Sequence, residues 1–242
     1  MWANGQPTSA IARAFTVCLV GLMITGCVKR WEWFERTTVT VQTPHGAVSG
    51  SSVADVYNQN DDGPFSHVQP FNRSRNRAYG EATVIDLGPE IGSRGPRYLF
   101  ALREGAELRL YGSIPGPRPE RTDEELLDRI LASKGRVFPV KRRHWPEFVA
   151  FDDPSDPATV RYVDPDDLGA VFGPGVRLRS ITVGVVDGPA TAGIVRPLLP
   201  WLDWSRDRML ARGGGRSPLR VPFPDGTTDT LNNLDFVWER PS

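Results

Sequence analysis

Apolar and polar positions alternate from Thr38 onward: Val39 and Val41 fall on one side of an extended chain, and Thr38, Thr40 and Gln42 on the other. Alternation with a period of two marks a half-buried strand. Pro44-His45-Gly46 then supplies a turn, and Ala47 to Val56 resumes with small and polar residues around Val48, Val53 and Val56, which predicts a β-hairpin. By the same criteria strands are predicted at Ala82 to Leu87, Arg97 to Leu102, Glu107 to Tyr111, Val137 to Val140, Phe148 to Phe151 and Arg177 to Val186, each bounded by Gly, Pro or Asp. Short runs between frequent turns point to a mainly β fold, an antiparallel sheet or β-sandwich-like domain with one or two short helices. An α+β arrangement is the alternative.

Two segments carry a helical pattern instead. Leu126, Leu127, Ile130 and Leu131 recur at helical spacing behind Thr122 and Glu125, which fit a reciprocal capping box, and Gly135 stands where a C-terminal glycine belongs. This stripe reads as core packing. A shorter helix is predicted from Asp164, an N-cap carboxylate followed by Pro165 and by Asp166 and Asp167 in the positive field of the first turn. Beyond Trp201 the periodicity disappears, and Arg212 to Pro218 (RGGGRSP) reads as a flexible loop. Residues 203–242 are therefore expected to form a poorly packed tail, with Trp238 as the residue able to dock back.

At the other end, Ala14 to Thr25 is an apolar run shorter than the roughly 20 residues a membrane-spanning helix needs, and it matches the core of a secretory signal. The four residues that follow within and after it, Ile24-Thr25-Gly26-Cys27, resemble the lipobox of bacterial lipoproteins. That resemblance implies acylation of Cys27, which becomes the first mature residue. The expected organisation is a signal peptide over 1–26, a lipid-anchored juxtamembrane segment over 27–37, the mainly β domain over 38–202 and the tail over 203–242. The expected location is the cell envelope, facing the periplasm or exterior, with membrane lipid as the partner at Cys27. Lys29 and Arg30 run against this, because positive charge is retained on the cytoplasmic side, so a single uncleaved N-terminal anchor is the alternative. Trp31, Trp33 and Phe34 fit either an aromatic cluster at headgroup depth or packing beneath the first strand.

Composition narrows the chemistry. The 29 Lys and Arg cancel the 29 Asp and Glu, so no global field favours nucleic acid, and 39% hydrophobic residues exclude a multi-span membrane protein. Cys18 and Cys27 are the only cysteines, and cleavage before Cys27 leaves no thiol for a disulfide, a nucleophile or a thiolate metal site. His45, His67 and His144 are scattered, so no metal or other cofactor is expected. Asp61-Asp62, Asp152-Asp153 and Asp166-Asp167 lack the grammar of a calcium loop: counted from Asp164, Leu168 and Gly175 fill positions that need oxygen ligands. The local signatures of nucleophilic catalysis and of phosphate-cradling loops are missing, so no catalytic residue is predicted.

The basic residues are the remaining binding signal. Arg73, Arg75 and Arg77 recur with a period of two and form the candidate anion-binding set, and Lys141-Arg142-Arg143 precede Trp145. An envelope protein or an anionic polymer is the expected partner of a non-catalytic binding or structural module. The alternative is an envelope hydrolase whose acidic site is assembled in space from Asp152, Asp153 and His144.

Taken together, Thr38-Val39-Thr40-Val41, Thr43-Pro44, Gly46, Ser49-Gly50-Ser51-Ser52-Val53, Gly80-Glu81-Ala82, Val163-Asp164-Pro165-Asp166-Asp167-Leu168, Phe172-Gly173-Pro174-Gly175-Val176 and Leu199-Pro200-Trp201-Leu202 resemble a family of bacterial membrane-anchored proteins of unknown function. The resemblance covers most of residues 38–202 and implies no functional residue. The hairpin is also similar to the opening of transthyretin-like β-sandwich modules, a likeness of fold alone.

Overall fold

The alternation that begins the domain runs further back than Thr38. Trp31, Trp33, Glu35, Thr37, Val39, Val41 and Thr43 are all buried, and every residue between them is exposed or half-buried, which makes one strand, β1 (Val28–Thr43). Trp31 and Trp33 thus pack within the protein, and only Phe34 of the aromatic trio lies on the other face. The computed structural model describes residues 28–61, 75–93, 95–103, 105–116, 124–203, 219–222, 228–231 and 233–240. Cys27, His67, Arg73 and Thr122 lie outside them, as does the glycine-rich loop over 212–218.

The hairpin continues through the expected turn into β2 (Gly46–Asp61). Thr43 fastens the turn: its hydroxyl donates to the Gly46 carbonyl at 2.9 Å and accepts the His45 amide at 3.1 Å. Next come β3 (Arg75–Glu81), β4 (Thr83–Asp86), helix α1 (Pro89–Gly92), β5 (Tyr98–Ala101), α2 (Ala106–Ser113), α3 (Glu124–Ala132) and β6 (Phe138–Pro139). After these follow β7 (Phe148–Phe151), β8 (Val160–Tyr162), α4 (Gly169–Phe172), β9 (Arg177–Val186) and α5 (Val195–Leu198). The last described elements are β10 (Leu219–Pro222), β11 (Thr228–Leu231), α6 (Asn233–Phe236) and β12 (Val237–Trp238). The protein is mainly β, as its patterning predicts: a six-stranded sheet in the order β12-β3-β2-β1-β9-β6, a four-stranded sheet β4-β5-β7-β8 and a two-stranded ribbon β10-β11.

Two compact units divide the chain, residues 1–31 with 57–76 and residues 32–56 with 77–242. In the first, Trp31, Asn58 and Gln59 are buried, the Tyr57 hydroxyl donates to Gln59 Oε1, and Lys29, Arg30 and Arg75 are exposed. All that follows in this subsection concerns the second unit.

Its two large sheets meet where β4 lies against β2. Gly50 makes this approach possible, because a Cβ there would sit 2.0 Å from the Val84 carbonyl oxygen. Beside it Ser52 and Thr83 share a buried hydroxyl hydrogen bond of 2.6 Å. Strand β7 is buried on both faces. Its residues Val149 and Phe151 join Phe100, Leu102, Val195, Leu199, Trp201 and Phe236 in one core cluster. The rings of Phe100, Phe151, Trp201 and Phe236 meet at 5.6 to 6.3 Å between centroids, mostly edge to face, so each pair adds about 1 kcal/mol beyond the area it buries.

Three expectations are revised. Glu107 to Tyr111 is part of helix α2, not a strand: Leu108 and Leu110 suggest alternation, yet the buried side chains include Ala106, Arg109, Leu110 and Ser113, a helical spacing, while Leu108 is exposed. The helix predicted at Asp164 begins only at Gly169. Asp164 Oδ1 accepts the Asp166 amide at 2.9 Å in a side-chain turn, and Asp167 Oδ1 accepts the Ala170 amide at 3.2 Å. Finally, the described end of the 203–242 stretch is packed, with Leu231, Phe236 and Val237 all in the core cluster. The residues that seat it sit at irregular spacing, so no period announces them. The leucine stripe of α3 is core as expected at Leu126, Leu127 and Ile130, and Gly135 holds a left-handed φ of 80°.

Candidate functional site

Two clusters of cations organise the surface of the second unit. The first forms around Trp238, which β12 pairs with Gly80 of β3. Arg77 and Arg103 stand over the indole with guanidinium carbons 5.3 and 4.8 Å from the ring centre, and Tyr79 meets it edge-on at 5.1 Å. Arg103 is buried; its Nε donates to the Leu234 carbonyl and its Nη1 to the Ala78 carbonyl, both at 2.8 Å. Arg240 lies 5.8 Å from the Tyr79 ring centre and pairs with Asp55 at 3.2 Å and Glu32 at 3.3 Å. Burial pushes the Asp55 carboxyl above the ordinary aspartate range; Arg240 opposes the rise and the Glu32 charge adds to it. The cluster is a clasp, joining residues 233–240 to β3, β2 and β1.

Of the predicted anion-binding trio, Arg77 therefore stacks on Trp238, Arg75 is exposed at the start of β3, and Arg73 lies outside the described residues. Cys27 also lies outside them, and β1 begins at the next residue.

The second cluster gathers at the start of β9. The β6–β9 ladder pairs Phe138 with Val183 and Pro139 with Thr182, and the Val140 amide then donates to the Ile181 carbonyl at 2.9 Å. Carried one residue further, this register would set Lys141 opposite Ser180, next in the chain to Arg179. Arg142 and Arg143 follow in a single 3₁₀ turn ending at His144. Arg142 is neutralised: it pairs with Asp166 and stacks 4.4 Å from the Trp145 ring centre. Arg143 Nε donates to His144 Nε2 at 3.0 Å. Arg177 and Arg179 are both exposed, and sequence reasoning did not single them out; their period-two spacing at the head of β9 was the available signal.

The acidic candidates serve an ion pair and turns. Asp152 pairs with Arg161, whose Nε lies 2.8 Å from Oδ2. Asp153 Oδ1 accepts the Ser155 hydroxyl at 2.7 Å and its amide at 2.9 Å, which hold its carboxyl below the usual range. Asp156 Oδ1 accepts the Ala158 amide at 2.9 Å. His144 lies before β7 and Asp152 after it, so the strand, about 10 Å of extended chain, separates the residues of the proposed hydrolase site. His144 instead packs on α2, its ring so close that a Cβ at Gly112 would be 2.1 Å from it. Among the described residues no group of three His, Cys, Asp or Glu could hold a metal, and no helix is long and apolar enough to cross a membrane.

No family model, no curated protein and no solved structure matches the chain.

Proposed function

We propose that this protein is a lipid-anchored module of the cell envelope, tethered through Cys27, that binds or organises other envelope components without covalent chemistry. The observation that carries the reading is the position of Cys27. It closes the lipobox-like Ile24-Thr25-Gly26-Cys27 behind an apolar run, and the first strand of the fold starts at Val28. A tether at that point leaves every described strand downstream of it. The binding half of the proposal rests on cations clustered at the surface, while the acids available for hydrolysis are bound into turns and ion pairs.

The test is the intact mass of the native protein extracted from membranes, compared with a Cys27→Ala variant. A diacylated or triacylated species beginning at Cys27, and its loss in the variant, is the expected result. An unmodified mass that retains residues 1–26 would overturn the tether and favour the uncleaved anchor.

A further inference from the structure

We propose that Lys141, Arg143, Arg177 and Arg179 form a binding surface for a linear, phosphate-bearing polymer of the envelope. The first support is charge that the fold leaves unmatched. The side chains of Lys141, Arg177 and Arg179 have no ion pair or hydrogen bond among the described residues, and the Arg143 side chain uses only Nε, on His144 Nε2. Of the acids around this turn, Asp166 holds Arg142, and Asp164 and Asp167 accept backbone amides. Like charges carried by the turn and by the strand it follows repel one another and recruit counterions.

The second support is rigidity. The turn that carries Lys141 and Arg143 is fixed on both sides: Trp145 Nε1 donates to the Val140 carbonyl at 2.9 Å, and the His144 amide donates to the Lys141 carbonyl at 2.8 Å. The His144 ring is seated on Gly112 with no room for a side chain there. Arg177 is held by the sheet itself, paired in register with Gln42 of β1. Cations carried on an ordered backbone bind a polyanion with less ordering cost than cations on a loose segment.

Residue type selects the ligand chemistry. Three of the four are arginines, whose planar fork engages phosphate through two parallel hydrogen bonds, and several fixed cations favour a chain of phosphates over a single ion. The envelope as the source of that polymer rests on the proposed tether; the cation surface itself does not.

The experiment measures binding of the full-length protein, solubilised in detergent, to long-chain polyphosphate as a function of salt. The variant Lys141→Gln/Arg143→Gln/Arg177→Gln/Arg179→Gln is compared with a charge-matched control, Arg36→Gln/Arg97→Gln/Lys134→Gln/Arg161→Gln. The expected result is affinity lower by about tenfold or more in the first and unchanged within about twofold in the control, with a shallower salt dependence only in the first. Arg179→Glu alone, a single exposed change, keeps the test valid if the quadruple variant unfolds, and it is expected to weaken binding while keeping the wild-type melting temperature. Equal loss in both quadruple variants, or no binding of polyphosphate by the wild type, would overturn the proposal. So would binding of the Cys27→Ala protein to phosphatidylglycerol vesicles through the same four residues in preference to polyphosphate. The mass measurement at Cys27 reports on the tether alone, so the two failures stay distinct.

Discussion

The arginines around Trp238 and those at the start of β9 are the same residue type in opposite circumstances. Arg103 is buried, its donors directed at the Ala78 and Leu234 carbonyls, and Arg240 faces two carboxylates. Arg177 and Arg179 are exposed with no such partners. A guanidinium that completes backbone hydrogen bonds is structure, and one that meets only water is available to a ligand. Which of the two a given arginine becomes depends on whether the chain folds carbonyls and aromatic rings onto it.

The contrast can be broken by mutation. Phe236→Ala, which empties the site of a fully buried ring beneath the clasp, is expected to cost about 4 kcal/mol in urea unfolding. A loss under about 1 kcal/mol would mean that residues 233–240 do not depend on the core for their position. Arg103→Ala comes next, at about 3 kcal/mol, because two carbonyls lose a charged donor. Arg179→Ala is expected to stay within about 0.5 kcal/mol, and similar costs for the two arginines would erase the distinction.

Glu81 sharpens the comparison from the acidic side. It is buried, and its two oxygens accept the amides of Gly193, Ile194 and Val195 at 2.7, 2.8 and 3.1 Å. Glu81→Gln turns an NH₂ toward these donors, and a loss of about 2 kcal/mol with faster hydrogen exchange at 193–195 is expected. The smallest effect belongs to Asp86. The Arg97 side chain, followed by the Gly88 amide, outweighs burial and holds its carboxyl below the ordinary range. A depressed pKa stabilises the fold above the unfolded value and is lost as pH falls through the folded one. The melting temperature of the wild type should exceed that of Asp86→Asn slightly near about pH 6, and the difference should vanish by about pH 2. A constant difference across that range would assign the effect to something other than ionisation.

The hairpin, the α3 stripe and strand β9 were legible because each buries one face over enough residues for its period to emerge. Helix α2 was not, since the window Glu107 to Tyr111 contains an apparent alternation, and Ala106 and Ser113, which reveal the helical spacing, lie just outside it. The two cation clusters were half legible. Runs such as Arg73 to Arg77 and Lys141 to Arg143 stand out in sequence, but the partners that separate Arg142 from Arg143, or join Arg179 to Lys141, come from β-sheet register and from loops distant along the chain. Nothing in the spacing of Arg103 announces that Leu234 will lie against it.

The core cluster draws on residues from Ala82 to Val237, with Phe236 among its largest side chains and with no exposed surface. In order of synthesis, then, the four-stranded sheet is made well before the segment that covers one of its faces. A chain that stops at residue 230 has Phe100, Phe151 and Trp201 without the Phe236 ring that meets each of them. The cluster is complete only once Phe236 and Val237 are available to it.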